Sequence, residues 1–329
     1  MKKHIFALSL GAMLFGLCVS ANAQQTGKIF RIGYLDNSTA SGIAVLLDAF
    51  RQELTKLGWI EGKNITIEYR FAEQKQERLP ELAADLVRLK VDLIVTSGGP
   101  TPFEAKKATT TIPIVMATAA DPVGMGLVAS LARPGGNVTG VSNLAVELNT
   151  KRLEMLKDAI PKLARVGLLR SPGDSVSSNL QLKELRAAAL ALQLKLEEIR
   201  TQPDAEGLES ALKTAKQKQV GAIMTLPGRR FFAERKRIVE LAGNYLLPAI
   251  YPDKEFVDEG GLMSYGADYT DLFRRAAVYV DKILKGAKPA DLPVQQATKF
   301  EFVINLKAAK QIDLTVPPEV IARANKVIK

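Results

Sequence analysis

The sequence predicts an α/β fold of two doubly wound lobes, each a parallel sheet with helices on both faces. Two observations carry that prediction. Short apolar, β-branched runs alternate with longer segments whose apolar residues recur every three or four positions. The alternation also restarts near residue 144, giving two successive units of about 120 residues, the size of ordinary lobes.

Taken in order, Ile29 to Leu35 reads as a buried strand. Ile43, Leu46, Leu47, Phe50, Leu54 and Leu57 then recur at helical spacing, and Gly58 ends that helix. Asn64 to Phe71 is a strand, and Leu79 to Leu89 a helix with Pro80 suited to its first turn. Strands at Val91 to Thr96, Ile112 to Ala117 and Asn137 to Val141 are separated by helices at Pro102 to Ala108 and Met125 to Leu131. The second unit opens with a helix over Leu148 to Ile160, stopped by Pro161. Strands follow at Arg165 to Leu169, Leu194 to Ile199, Val220 to Leu226, Pro248 to Tyr251 and Leu262 to Tyr265. Leu182, Leu185, Ala189 and Leu192 mark one intervening helix. Asp268 suits the N-cap of a helix carrying Leu272, Ala276, Val280 and Ile283, with Lys282 and Lys285 in its last turn and Gly286 after it. Gly286 to Pro293 is the clearest linker. Phe300 to Asn305 and a C-terminal helix come after it, a late segment that crosses back to the other lobe.

The chain holds one histidine and one cysteine, His4 and Cys18, and both lie in the first 23 residues. Lys2 and Lys3, the apolar run Ile5 to Leu17 and the small-x-small site Ala21-Asn22-Ala23 read as a signal peptide cleaved after Ala23. The alternative is an uncleaved anchor, but the run is short of the ~20 apolar residues that span a bilayer. Leu17 before Cys18 argues against lipid attachment there. The expectation is an exported protein, free in the periplasm and not membrane-spanning after cleavage. Lys2 and Lys3 supply two of the ten net positive charges; the others are spread along helices, so no nucleic-acid partner is expected. The densest basic cluster, Arg229, Arg230, Arg235, Lys236 and Arg237, reads as a solvated helix face, as do Asp253, Glu255, Asp258 and Glu259.

A mature chain without His or Cys has no Ser-His or Cys-His nucleophile and lacks the usual zinc ligands. No catalytic residue, metal site or cofactor is assigned. Carboxylate-only hydrolysis stays open as a lesser reading, since no Asp/Glu pair stands out. The glycine-rich turn Thr96-Ser97-Gly98-Gly99-Pro100, between a strand and a helix, is a candidate anion cradle; it has neither Walker A nor GxGxxG spacing. In open parallel sheets ligands lie outside the carboxyl ends of the strands. The candidates there are Asp36, Asn37, Ser38, Ser97, Gly98, Ala119, Ala120, Asp121, Ser171, Asp174, Tyr251, Tyr265 and Asp268. Facing each other across a cleft, they offer hydrogen bonds for a polar ligand and aromatic surface for its apolar part.

Several blocks resemble the periplasmic substrate-binding proteins of ABC transporters, in the family typified by tryptophan and tyrosine importers. The most specific is Asp121-Pro122-Val123 followed by Gly126 through Val141, with Arg133-Pro134-Gly135-Gly136-Asn137-Val138-Thr139-Gly140 at its centre. Supporting blocks are Leu57 to Ile65, Gly260 to Gly266, Lys285 to Pro293 and Ile304 to Ala309. One departure is Ile312-Asp313-Leu314, where the family often has Leu-Gly-Leu; Asp is among the residues that reach a glycine-like backbone. The resemblance implies a type I periplasmic-binding-protein fold, two lobes joined by hinge crossovers. The lobes are expected at 28–143 plus about 268–290, and 144–267 plus about 291–329. It implies a monomeric receptor that closes on a small ligand, such as an aromatic amino acid or related carboxylate, and delivers it to an ABC permease and ATPase. The Ser97-Gly98 and Ala119-Ala120-Asp121 turns are then candidates for a ligand carboxylate. Asp36, Asp121 or Asp268 would face its ammonium, and Tyr251 and Tyr265 its ring. The alternative is a ligand sensor that docks on a membrane kinase.

Overall fold

The computed structural model describes residues 28–171 and 176–329; the expected signal peptide and Asp174 lie outside them. The first unit runs β1 (Phe30–Asp36), α1 (Ala44–Lys56), β2 (Ile65–Phe71), α2 (Leu79–Arg88), β3 (Leu93–Ser97), α3 (Thr101–Ala108), β4 (Ile114–Thr118) and β5 (Val138–Ser142). Its strands pair in parallel in the order β2-β1-β3-β4-β5. β3 and β4 are buried along their whole length, as strands covered on both faces must be, which is why their sequences read as unbroken apolar runs.

The second unit runs α4 (Ala145–Ala159), β6 (Arg165–Arg170), α5 (Val176–Ala191), β7 (Lys195–Arg200), α6 (Ala205–Gln217), β8 (Ala222–Thr225), α7 (Arg229–Ala233), α8 (Arg235–Asn244), β9 (Ala249–Tyr251), α9 (Glu255–Asp258) and β10 (Met263–Ala267). The chain then forms α10 (Tyr269–Leu284), β11 (Gln295–Gln296), β12 (Phe300–Asn305), α11 (Leu306–Gln311), α12 (Pro318–Ile321) and β13 (Lys326–Ile328). The second sheet is ordered β13-β12-β10-β9-β8-β6-β7. Its edge strand β7 carries Lys195, Glu197 and Glu198, charges that discourage pairing with another chain.

Three crossovers join the sheets, and they lie side by side. The first leaves β5 through Asn143 and Leu144 and enters α4. The second leaves β10 and enters α10, which packs on α1 and on β4 and β5 of the first sheet. The third leaves β11, which pairs in parallel with β5, and enters β12. Asp268 donates its amide to the Lys299 carbonyl at 3.0 Å, and Ala297 donates its amide to that of Ser142 at 2.8 Å. Leu144 sits in the left-handed region at φ +54, a costly conformation for a branched side chain and one that fixes the first crossover.

Several expectations need correction. Residues 291–296 belong with the first sheet, so the last crossing falls at 297–299 rather than near 290. Val294 donates its amide to the Leu131 carbonyl at 2.7 Å, and the Thr139 hydroxyl donates to that of Leu292 at 2.6 Å. The second sheet is not wholly parallel. The returning chain enters β12 at the cleft and must run away from it, antiparallel to β10. Residues 125–131 form turns, not a helix: Gly126 has φ +68, and the Leu127 and Val128 amides both close on the Pro122 carbonyl. In place of one C-terminal helix stand α11, α12 and β13. Between α11 and α12, Asp313 takes φ +53, the glycine-like backbone that the Ile312-Asp313-Leu314 departure required.

Two charged segments are also not solvated faces. The basic cluster is split by Glu234 into α7 and α8; Arg230 is buried and donates to Oε1 of Gln202 at 2.6 Å. In the acidic run, Asp253 and Glu255 are buried.

Candidate functional site

The crossovers set the carboxyl ends of β1, β3, β4 and β5 opposite those of β6, β8, β9 and β10. Contacts across the gap hold the two halves together. Gln74 donates its side-chain amide to Oε1 of Glu234 at 3.1 Å, and Arg235 donates to the Gly42 carbonyl at 3.3 Å. At the crossovers, the Asn143 side-chain amide donates to the Tyr269 hydroxyl at 2.8 Å. Glu73 and Gln74, at φ +52 and +68, form the turn that brings Gln74 to Glu234.

Asp36, Asn37 and Ser38 end β1 and are buried. Asp36 Oδ1 accepts from the Ser38 amide at 2.8 Å, an Asx turn that orients the next two side chains. The carbonyls of Asp36, Asn37 and Ser38 accept from the amides of Ala72, Gln74 and Glu73, so the segment is held on its other side. Asn37 Oδ1 and Ser38 Oγ are buried with no protein partner, and so are the hydroxyls of Thr96, Ser97 and Thr118. The β3–β4 register slips between Thr96 and Ser97, pairing Ser97 with Thr118 and clustering these hydroxyls at the strand ends. On the opposite sheet the Thr225 and Ser264 hydroxyls are likewise buried and unpartnered. Orphaned polar atoms of this kind are costly unless something else hydrogen-bonds them.

The Ser97-Gly98 turn offers fewer donors to an anion than its glycines suggest. The Gly98 amide is spent on the Thr118 carbonyl at 3.1 Å, and Pro100 and Pro102 have no N–H. The Ala119 carbonyl accepts from the Asn143 amide at 2.9 Å, which ties this turn to the first crossover. Asp121 accepts from the Gly124 amide at 2.9 Å and holds its own turn against Leu180 of α5. Ser171 follows β6 and is half-buried.

Tyr251 ends β9 and Tyr265 lies within β10, and both rings pack against side chains of their own lobe. Tyr251 is buried and stacked on Phe256, with centroids 4.6 Å apart and planes 8° apart. Burial pushes its phenol pKa up. It lines a separate pocket of about 590 Å³ with residues of α8 and α11. Tyr265 packs edge-on to Phe302 at 6.3 Å.

Asp268 is the N-cap of α10, its Oδ1 accepting from the Asp271 amide at 3.1 Å. Burial raises its pKa, but the bonds from Asp271 and Thr270 and the charges of Lys254 and Arg274 outweigh that and hold it below 3.8. A depressed carboxylate stabilises the fold above its unfolded pKa and loses that contribution as pH falls through the folded value. Asp268→Ala is therefore expected to cost about 1 kcal/mol at neutral pH. The deficit relative to the unsubstituted protein should shrink in urea titrations as pH drops below about 4. A deficit of constant size across that range would rule the linkage out.

Sequence reasoning missed the buried charges on the second lobe. Asp253, just beyond β9, is 1 % exposed, and so is Arg152 of α4. Arg152 donates to the Tyr265 carbonyl at 2.8 Å and to Oδ1 of Asn149, whose amide donates to Oε1 of Gln181 at 2.9 Å. The signal was present: Arg152 occupies the apolar stripe of its helix, four residues from both Leu148 and Leu156.

Comparison with known proteins decides what this architecture is. The model of the family described as ABC transporter substrate binding protein matches residues 41–328. The chain belongs to that family. A tyrosine-binding protein of Clostridioides difficile (strain R20291) is 31% identical over 271 residues, covering 80% of this chain and 75% of that protein. A conserved domain protein from Vibrio cholerae superposes with a TM-score of 0.83 at 28% identity, covering 91% of this chain and 100% of that one. An ABC domain from Streptococcus pneumonia, crystallised in complex with L-Trp, superposes with a TM-score of 0.79 at 28% identity, covering 91% and 99%.

The fold is thus that of a type I periplasmic binding protein, and the chain is an ABC transporter substrate-binding protein. Proteins of this family are extracytoplasmic solute receptors that bind small ligands and work with ABC permeases. Among the described residues, no helix is long and apolar enough to cross a membrane.

Proposed function

We propose that this substrate-binding protein is a periplasmic receptor for an aromatic α-amino acid, exported by cleavage after Ala23 and acting as a monomer without catalysis. Its lobes are 28–143 with 268–296, and 144–267 with 300–329, residues 297–299 forming the last crossing. They close on the ligand, and the closed form docks on the permease. The observation that carries the reading is the set of buried, unpartnered groups at the strand ends: Asn37, Ser38, Ser97 and Thr118 on one lobe, Thr225 on the other. They suit a small polar ligand enclosed between the lobes. The relatives that bind tyrosine and L-Trp point to the aromatic class.

Asp253 is the group we assign to the ligand ammonium. Asp253 is buried just past the carboxyl end of β9, on the side of the second lobe that faces the first. Removing one member of a buried charge pair costs about 2–5 kcal/mol. In isothermal titration the mature protein should bind L-tyrosine or L-tryptophan, and Asp253→Asn should weaken that binding at least about thirtyfold. No heat with either amino acid overturns the aromatic reading; unchanged affinity in the variant overturns the role of Asp253.

A further inference from the structure

Glu234 is the one acid inside the basic run from Arg229 to Arg237, and the fold carries it to the contact between the lobes. It ends α7 and starts α8, where the unpaired amides of a helix amino end favour a negative charge. Across the gap its Oε1 accepts from the side-chain amide of Gln74 at 3.1 Å. Both side chains are half-buried. A bond made to a carboxylate is stronger than one between neutral groups.

The chain holds Gln74 in place for that reach. Three main-chain bonds fix its turn to the end of β1: the Ala72 amide donates to the Asp36 carbonyl at 2.9 Å, Glu73 to Ser38 at 3.2 Å and Gln74 to Asn37 at 2.8 Å. Glu73 and Gln74 both take left-handed φ, a cost that two successive non-glycine residues bear only where their surroundings over-determine the backbone. The Arg78–Glu73 ion pair at 2.9 Å braces the same turn. The segment that presents the orphaned Asn37 Oδ1 and Ser38 Oγ therefore also sets Gln74 against the second lobe. The Ser38 hydroxyl lies at this contact, 3.0 Å from the point where a Cβ on Gly42 would stand, and Ala233 of the second lobe is 2.4 Å from that point. A longer-range attraction spans the same rim. Loss of water lowers the pKa of buried Arg230 in α7, and the charges of Glu77, on the first lobe, and Asp204 oppose it.

We propose that Gln74 is a positioning residue that latches the lobes together over the ligand and so sets how long the ligand stays bound. The proposal rests on the reading of Asn37 and Ser38 as ligand contacts between closing lobes. A bond made only where the lobes meet favours the closed form without touching the ligand or its entry, so its loss is read in the rate of release.

Stopped-flow binding of L-tyrosine and L-tryptophan to the mature protein tests it. Gln74→Ala should release ligand about fivefold faster or more, with association within about twofold. Gln74→Glu sets two carboxylates face to face and should weaken binding about tenfold or more. Exchanging the pair, Gln74→Glu with Glu234→Gln, reverses donor and acceptor and should recover most of that loss. Lys75→Ala, exposed beside the latch, should change release by less than about twofold. Unchanged release in Gln74→Ala overturns the proposal. So does a loss in Gln74→Glu that the exchange leaves in place, since the effect then stays within the first lobe. If neither amino acid binds the unsubstituted protein, the aromatic reading falls instead, and small-angle scattering of the ligand-free proteins judges the latch. Gln74→Glu should then be more open than the exchanged pair, and equal radii of gyration overturn the latch.

Discussion

Gly266→Ala is expected to destabilise the second lobe by about 3 kcal/mol or more and to remove ligand binding with it. Gly266 lies in β10, paired with Glu301 of β12. A Cβ there would stand 1.8 Å from the Pro252 carbonyl oxygen and 2.9 Å from its carbon, with Arg152 Nη1 3.6 Å away. The obstacle is backbone, and proline at 252 leaves that turn little freedom to yield. Relief must displace either β10, which holds Arg152 through the Tyr265 carbonyl, or the turn that carries Asp253. Chemical unfolding should show a lower midpoint, and titration with L-tyrosine should show no heat. A midpoint within error of the unsubstituted protein would mean that the close approach is not a native contact.

Gly42→Ala acts on closure. A Cβ on Gly42 would come 2.4 Å from the Cβ of Ala233 on the opposite lobe, while its neighbours on the same lobe, the hydroxyls of Ser38 and Thr39, stay 3.0 Å off on rotatable side chains. The same rim carries the Arg235 bond to the Gly42 carbonyl and the Gln74–Glu234 bond. Overpacking costs about 1–3 kcal/mol, and the clash with Ala233 exists only while the two lobes are in contact at this rim. Ligand affinity should therefore drop about 5- to 150-fold, with little change in the unfolding midpoint of the ligand-free protein. Small-angle scattering should show less compaction at saturating L-tyrosine. Ala233→Gly, added to Gly42→Ala, removes the opposing methyl and should restore most of the affinity. Failure of that rescue would place the effect within the first lobe.

Local order was legible wherever a residue's role depends on near neighbours in the chain. Gly286 at φ +101 after α10, Asp268 at the start of that helix and the buried runs of β3 and β4 are set by capping, chirality and burial on both faces. The turn at 125–131 was not legible. Met125, Val128 and Leu131 have helical spacing, but the Leu131 carbonyl accepts from Val294 and the Ala129 amide donates to Pro134, so distant main-chain partners replace the helix. The site was legible in outline: the buried hydroxyls do cluster at strand carboxyl ends. The burial of Asp253 was not, because it belongs to an acidic run that looks solvated; that of Arg152 showed only as a charge on the apolar stripe of its helix.

The sequence by itself determined the βα alternation, the restart near residue 144, the lone His4 and Cys18 within the first 23 residues, and the blocks that mark the family. Those follow from periodicity and composition, which act over a few turns of chain. Only the tertiary structure decided which charges lose their water. Asp36, Asp121 and Asp268 close their own turns, Tyr251 stacks into the core, and Arg152 and Asp253 are enclosed together by segments about a hundred residues apart. Desolvation depends on everything that surrounds a group, so a local pattern such as the stripe around Arg152 hints at it but does not fix it.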